Sequence, residues 1–496
     1  MRPDHFFTMH AIPKVGLIQN TPLTADFSNN LRQIVQGYRD CLDHGAELVI
    51  APATALCGPA PHDLTKRSSF ARQTQAALRA LSEELGGVPL ILGAWVPPSP
   101  AEDEEDEWAN GADEWHSGQE LILTPHLLEN GEVSELENGE VLEWNELRLL
   151  VDTGNTTTPP EAEQADLIIH LRTMPWYAGS PAADAEATCW EAKTNGVPVI
   201  SVHQAGCADG NIYPGGSLLC LPAGHVAARL PLFESASKCI APGKKMRAKA
   251  LPEDAEQLCT ALERGIRDTV RSNGYTKVCL SLDYATSPLL AVLCVEALGR
   301  NNVLAVTTKD NTDTATQLGI RCKQLSTAPL LEQASTLLPG APSALQARLT
   351  ASVEFSYAET EGLMYLSPLS RRELLMGDFS LYGESCGLLA PLGNLYEMDL
   401  HQLRCYLQEK YSGVFGTLCE PSTPATDRIL HELADLNLGA TELLHTRTCP
   451  FSENEVRQIQ RKLIASALKR SQIPMVLHAD RPEEQVSLPI SHRLND

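Results

Sequence analysis

An α/β protein is predicted, organised as two successive domains of alternating strands and helices. Three observations predict it. Short apolar runs alternate with helical patterns from Lys14 to about Phe233, as in a layered α/β domain. The stretch Val278 to Gly299 reads as a strand, a turn and a helix, and a second strand, Val303 to Val306, follows at once. Such a βαβ unit needs a parallel sheet covered on its faces. Finally, 496 residues with 43% apolar content are enough for two or three domains with cores of their own.

The elements justify themselves in order. Lys14 to Ile18 is an apolar strand. Asn29 to His44 is a helix carrying Leu31, Ile34, Val35, Tyr38 and Leu42 on one face, with Gly45 just past its end. Glu47 to Ile50 is the next strand, a second helix covers roughly Ser69 to Leu85, and Leu90 to Leu92 leads another strand. Further strands are predicted at Leu121 to Leu123, Leu147 to Val151, Leu167 to His170, Val197 to Val202 and Ser217 to Leu221. In the second half, Pro252 to Ser272 is a helix, and Val278 to Leu280 a buried strand. The helix after it carries Leu289, Leu290, Leu293, Val295 and Leu298 and stops at Gly299. A long helix opens near Leu345, and the last runs from Glu453 to Ser471.

Composition excludes several partners. The formal charge of −24 argues against nucleic acid and against an anionic membrane surface. No stretch approaches 18 apolar residues, and MRPDHFFTMH has no apolar run of signal length, so a cytoplasmic protein is expected. The 14 cysteines are scattered among apolar residues, which reads as reduced core thiols. Residues 101–118 form an acidic tract with Trp108 and Trp115, a solvated loop or a docking surface for a protein partner. Residues 236–250, with Lys244, Lys245, Arg247 and Lys249, read as a basic linker.

Several motifs carry a resemblance. PATALCGPAPHDL from Pro52 to Leu64 is similar to PELxLTGYPPEDL. Met174 to Gly179 resembles SPFHxGK, and Gln204 to Asp209 continuing to Gly215-Gly216-Ser217 resembles NQVGGQD…GGS. Tyr382 to Tyr396, YGESCGLLAPLGNLY, is close to YGDMCGGLAPIGDLY. These are motifs of the glutamine-dependent NAD synthetases, and the chain resembles that family along most of its length. The resemblance implies a nitrilase-like αββα sandwich at residues 1–235, the linker at 236–250, and an adenine-nucleotide α-hydrolase-like (Rossmann-like) synthetase domain at 251–496.

The same resemblance identifies where chemistry should be. Hydrolysing glutamine takes a thiolate, a general base and a cation for the oxyanion, which the family supplies as Cys, Glu and Lys. The Glu position is Ala53, the Lys position falls near Thr124, and the Cys position falls at Asp152 or a neighbour. No cysteine lies between Cys57 and Cys189. A substitute acid/base pair of Asp152 with His126 is conceivable. In the family's phosphate loop, SGGxDS, only Ser287 is retained. Thr286 stands at the Asp, and Asp283 and Tyr284 stand at the two glycines, whose freedom lets backbone approach a phosphate. Arg348 and Glu373 are the remaining candidates for nucleotide contact, by likeness to NxQARxR and TGNKSEL. The expectation is a pseudoenzyme with a scaffolding, regulatory or binding role, without cofactor. Its partner would be its own copies or an active NAD synthetase, with the tract 101–118 a further candidate contact. The alternative is an active NAD synthetase using deamido-NAD, glutamine or ammonia, ATP and Mg.

Overall fold

Residues buried on both sides of a strand must find apolar layers on both sides, and the first half of the chain solves this with two sheets. In the computed structural model, which describes residues 12–98, 120–154, 165–241, 248–338, 343–418, 424–446 and 450–479, Val15, Leu17, Leu48 and Ile50 point into one apolar cluster with Leu149, Val151, Leu167 and Ile169. Their neighbours Ile18 and Val49 join a second cluster with Ile34, Tyr38, Leu78 and Leu81. The period of two therefore splits each strand between an inner seam and an outer helix layer.

The first sheet has the order Ala236–Ile240, Val15–Gln19, Leu48–Ile50, Leu90–Val96, Ile122–Glu129, Glu132–Glu135. Helices Phe27–Asp43 and Ser68–Glu84 pack on its outer face. The second sheet has the order His225–Arg229, Leu218–Leu221, Val199–His203, Leu167–Arg172, Leu147–Asp152, Val141–Trp144. Helix Ser180–Asn195 covers it, burying Ala185 and Ala192 against Ile168, Leu218 and Cys220. Helix, sheet, sheet and helix make the expected αββα sandwich.

Two expectations change here. Ala236–Ile240, read from sequence as the start of a linker, pairs antiparallel with Val15–Gln19 from Val15↔Ile240 to Gln19↔Ala236, so the first sheet extends beyond residue 235. Cys189 and Cys220, read as reduced, are joined as a disulfide with Cα atoms 5.2 Å apart, tying the covering helix to its sheet. A basic linker is not tested for Lys244, Lys245 and Arg247, which lie outside the described residues.

The second unit is organised by a six-stranded sheet in the order Arg321–Gln324, Val303–Thr307, Val278–Ser281, Met364–Leu366, Leu389–Ala390, Met475–Val476. Every pairing in it is parallel. Helix Ser287–Leu298 follows the central strand and buries Leu289, Leu290, Ala291, Val292, Leu293 and Cys294. It is enclosed nearly all round, not along one face as its spacing suggests, because helix Asp254–Ser272 and helix Glu397–Phe415 also pack on it. The last predicted helix is divided into Glu453–Ala465 and Ala467–Arg470, with Ser466 Oγ donating to Leu375 O at 2.7 Å. No described helix is long and apolar enough to cross a membrane.

Candidate functional site

In the first unit, the Glu position of the resemblance is Ala53, just past strand Leu48–Ile50 and fully buried. Its carbonyl oxygen lies where a side chain on Gly93 would come within 2.4 Å, so the neighbouring strand backs directly onto it. Thr54 beside it donates to Gln204 Oε1 and shares a 3.2 Å hydrogen bond with Thr173. Thr124 is buried in strand Ile122–Glu129, in register with Ala94. Neither an alanine nor a threonine supplies the charge that the family's Glu and Lys carry.

Asp152 ends strand Leu147–Asp152 and is 1% exposed. It does not pair with His126, whose Nδ1 lies 3.1 Å from Thr124 O and whose pKa burial pushes down. Asp152 instead meets His170 Nδ1 at 3.2 Å, while His170 Nε2 meets Glu191 Oε2 at 2.7 Å. Burial presses the His170 imidazole down, but its hydrogen bonds to Asp152 and Glu191 outweigh this and hold it above its ordinary value. His170, with a carboxylate on each ring nitrogen, ties strand Leu167–Arg172 to helix Ser180–Asn195. Cys57, the nearest preceding thiol in sequence, is buried and pushed up to about 11 by that burial, far from a thiolate at neutral pH.

In the second unit the loop after strand Val278–Ser281 is closed by its own side chain. The Asp283 carboxylate accepts from Thr307 Oγ1 at 2.6 Å, from Thr308 N at 3.0 Å and from Thr308 Oγ1. Lys309 Nζ donates to the Asp283 carbonyl at 3.1 Å. Thr286 Oγ1 donates to Pro368 O at 2.7 Å. Ser287, the retained residue, is fully buried and its hydroxyl has no partner among the described residues. Beneath the loop lies a carboxyl that the sequence reading did not single out. Glu354, 0% exposed, accepts from Ser281 Oγ at 3.0 Å and from the Tyr365 hydroxyl at 2.6 Å. Burial raises Glu354 to about 7. Burial, with Glu354, Glu384 and Asp283 nearby, pushes the Tyr284 phenol well above its ordinary value. The Asp283 carboxylate ties the loop to the end of the neighbouring strand Val303–Thr307, and with Glu354 and Glu384 nearby the surroundings of Tyr284 are acidic, which disfavours an anionic ligand.

The other two candidates have structural occupations. Arg348 is exposed and donates from Nε to Leu381 O at 3.0 Å. Glu373 accepts from Ser370 N at 2.8 Å and Ser370 Oγ at 2.7 Å, the capping box of helix Arg371–Met376. The sequence signals for what was missed are spacings: Asp184 and Glu191 lie two turns apart on one helix, and His170 and His203 lie on adjacent strands.

Comparison with known proteins fits this architecture. The family profile described as NAD synthase matches residues 258–412. A glutamine-dependent NAD(+) synthetase of Synechocystis is 25% identical over 452 residues, covering 80% of this chain and 81% of its own. Along about four-fifths of its length the chain is similar to glutamine-dependent NAD synthetases. A crystal structure of such a synthetase from Cytophaga hutchinsonii superimposes with a TM-score of 0.80 at 14% identity, covering 96% of this chain and 97% of its own. That from Acinetobacter baumannii, in complex with adenosine diphosphate, gives 0.71 at 20% identity, covering 93% and 94%. The first unit thus has the nitrilase-like αββα fold and the second the Rossmann-like parallel-sheet fold.

Proposed function

We propose that this chain is a pseudoenzyme that acts by binding, as a scaffold or regulator, with its own copies or an active NAD synthetase as partner. One observation carries the reading: the glutamine-hydrolysis positions hold Ala53, Thr124 and Asp152, and the last is already engaged with His170. Glutamine hydrolysis needs nucleophile, base and oxyanion cation together, each commonly worth several kcal/mol of transition-state stabilisation. The self-occupied loop at Asp283 supports the same reading for the adenylating half. No cofactor is expected.

A second reading is favoured by the similarity to the Synechocystis enzyme over 80% of this chain. In it the chain is an active NAD synthetase that makes NAD from deamido-NAD, ATP and Mg, with glutamine or ammonia as nitrogen source. The deciding experiment incubates the purified full-length protein with deamido-NAD, ATP and Mg, adding ammonia in one arm and glutamine in another, and follows NAD by a coupled assay. No turnover above the blank in either arm is expected. Turnover with ammonia establishes the second reading, and turnover with glutamine also overturns the vacancy assigned to Ala53, Thr124 and Asp152. Light scattering of the protein alone and mixed with an active NAD synthetase tests the partner: a monomer in both is incompatible with the scaffold proposed.

A further inference from the structure

The edge strand Met475–Val476 borders a cavity of about 430 Å³, within the roughly 300–1,000 Å³ of small-molecule sites. Helix Arg371–Met376 and the end of helix Ala467–Arg470 supply its other main walls. Every residue lining it belongs to the second unit, and none comes from the loop after strand Val278–Ser281.

Much of the wall is apolar. Leu374 and Leu375, one turn on from Arg371, are 4% and 3% exposed, and Ile473, Pro474 and Val476 are half-buried beside them. The charged groups are unevenly matched. Arg371 is answered by Asp435, whose carboxylate also meets His431 Nδ1 at 3.0 Å. Arg470 has no such answer. Its Nη1 donates to Leu463 O at 2.8 Å, to Leu375 O at 3.3 Å and to Ser466 Oγ, all of them neutral acceptors. No carboxylate among the described residues pairs with Arg470. Its Nε and Nη2 make no hydrogen bond with those residues, and neither atom is shut off from solvent. Burial and the like charge of Arg371 press its pKa down. Asp209 also lines the cavity, is exposed, and forms no ion pair with either arginine.

We propose that this cavity binds a small monocarboxylic acid with an apolar body, its carboxylate on the Nε–Nη2 edge of Arg470 and its body against Leu374, Leu375 and Ile473. One guanidinium without a counter-charge calls for one negative charge, and the carboxylate of Asp209 on the same wall disfavours a dianion. The free guanidinium edge presents two parallel donors, which match a planar carboxylate. The apolar wall sets the rest of the ligand: each methylene it buries should tighten binding about fourfold. The site is separate from the loop at Asp283, so it stands or falls independently of whether the chain makes NAD.

Calorimetry of the full-length protein at fixed ionic strength, with butyrate, hexanoate and hexanol as probes, tests this. One saturable site is expected for hexanoate, about 15-fold tighter than for butyrate if both added methylenes are buried. Hexanol, which has the body without the charge, should bind at least about tenfold more weakly. Arg470→Gln should weaken hexanoate binding about tenfold or more, with partial recovery in Arg470→Lys. Ile473→Trp, which fills the cavity and leaves the carbonyl contacts of Arg470 in place, should abolish binding. Absence of saturable heat at about 50 mM hexanoate, where even a millimolar site would fill, overturns the proposal. So does equal binding of hexanol, unchanged affinity in either folded variant, or inorganic phosphate displacing hexanoate at equal concentration. If circular dichroism shows that Arg470→Gln does not fold, Ile473→Trp and the hexanol comparison decide alone.

Discussion

The two places where the family resemblance locates chemistry are built in opposite ways. Around Ala53 there is no charged side chain at the position itself and the backbone packs closely: Ala53 is fully buried, and its carbonyl lies where any side chain on Gly93 would collide. Around Asp283 the loop carries a charge instead. A carboxylate stands where the family has glycine and saturates itself on Thr307 and Thr308. A buried position such as Ala53 resists a new charge. At Asp283 a single substitution would release the donors of Thr307 and Thr308.

That contrast can be broken in several ways. The largest effect is expected from Ala53→Glu, which places an unpaired carboxylate in a closed apolar site. It should cost about 3–5 kcal/mol in urea unfolding without creating glutamine hydrolysis, and near-native stability would mean the old site remains open. Glu354→Ala comes next: it strands the hydroxyls of Ser281 and Tyr365, at a cost of about 3 kcal/mol. The same carboxyl gives a pH signature. Burial raises Glu354 from 4.5 to about 7 in the folded protein, so the native state binds the proton more tightly than the unfolded chain. Its contribution is present in full below about 4.5, falls as pH rises through the window to about 7, and amounts to about 3 kcal/mol at most. Glu354→Gln should flatten that slope in pH-dependent melts, and an unchanged slope would assign it elsewhere. Asp283→Ala should cost about 2 kcal/mol through lost charge-assisted hydrogen bonds. It should also produce ATP binding, by calorimetry, above that of the unsubstituted protein. If ATP binds both equally, the loop is not self-occupied in solution. The smallest effect belongs to Arg348→Ala, within about 0.5 kcal/mol as for an ordinary surface change; a marked loss of nucleotide binding would return Arg348 to the site.

The fold was legible where burial writes a period. Val278 to Val306 reads correctly because two continuous apolar strands flank an apolar helix stopped by Gly299, whose φ of +83° is costly for other residues. Helix Ser180–Asn195 is not legible because its buried face includes Ser180, Thr188 and Glu191, so apolar residues do not repeat at helical spacing. Strand Met475–Val476 is two residues long, below what any pattern can mark. The residue types at Ala53, Thr124 and Asp152 could be read directly. The engagement of Asp152 by His170 could not, because those partners are 18 residues apart and meet only once the strands are paired. Asp283 was read as a missing glycine; that its carboxylate accepts from Thr307 and Thr308 depends on the register of strand Val303–Thr307.

Strand Ala236–Ile240 has a consequence for biosynthesis. Val15–Gln19 is an interior strand whose partner on one side arrives more than 200 residues later. During synthesis the nascent chain therefore carries an open hydrogen-bonding edge until residue 240 has left the ribosome, at about 5–20 residues per second. The sandwich cannot be sealed before that moment, and the opening helix Phe27–Asp43, which packs on both strands, lacks one of its two strand partners until then.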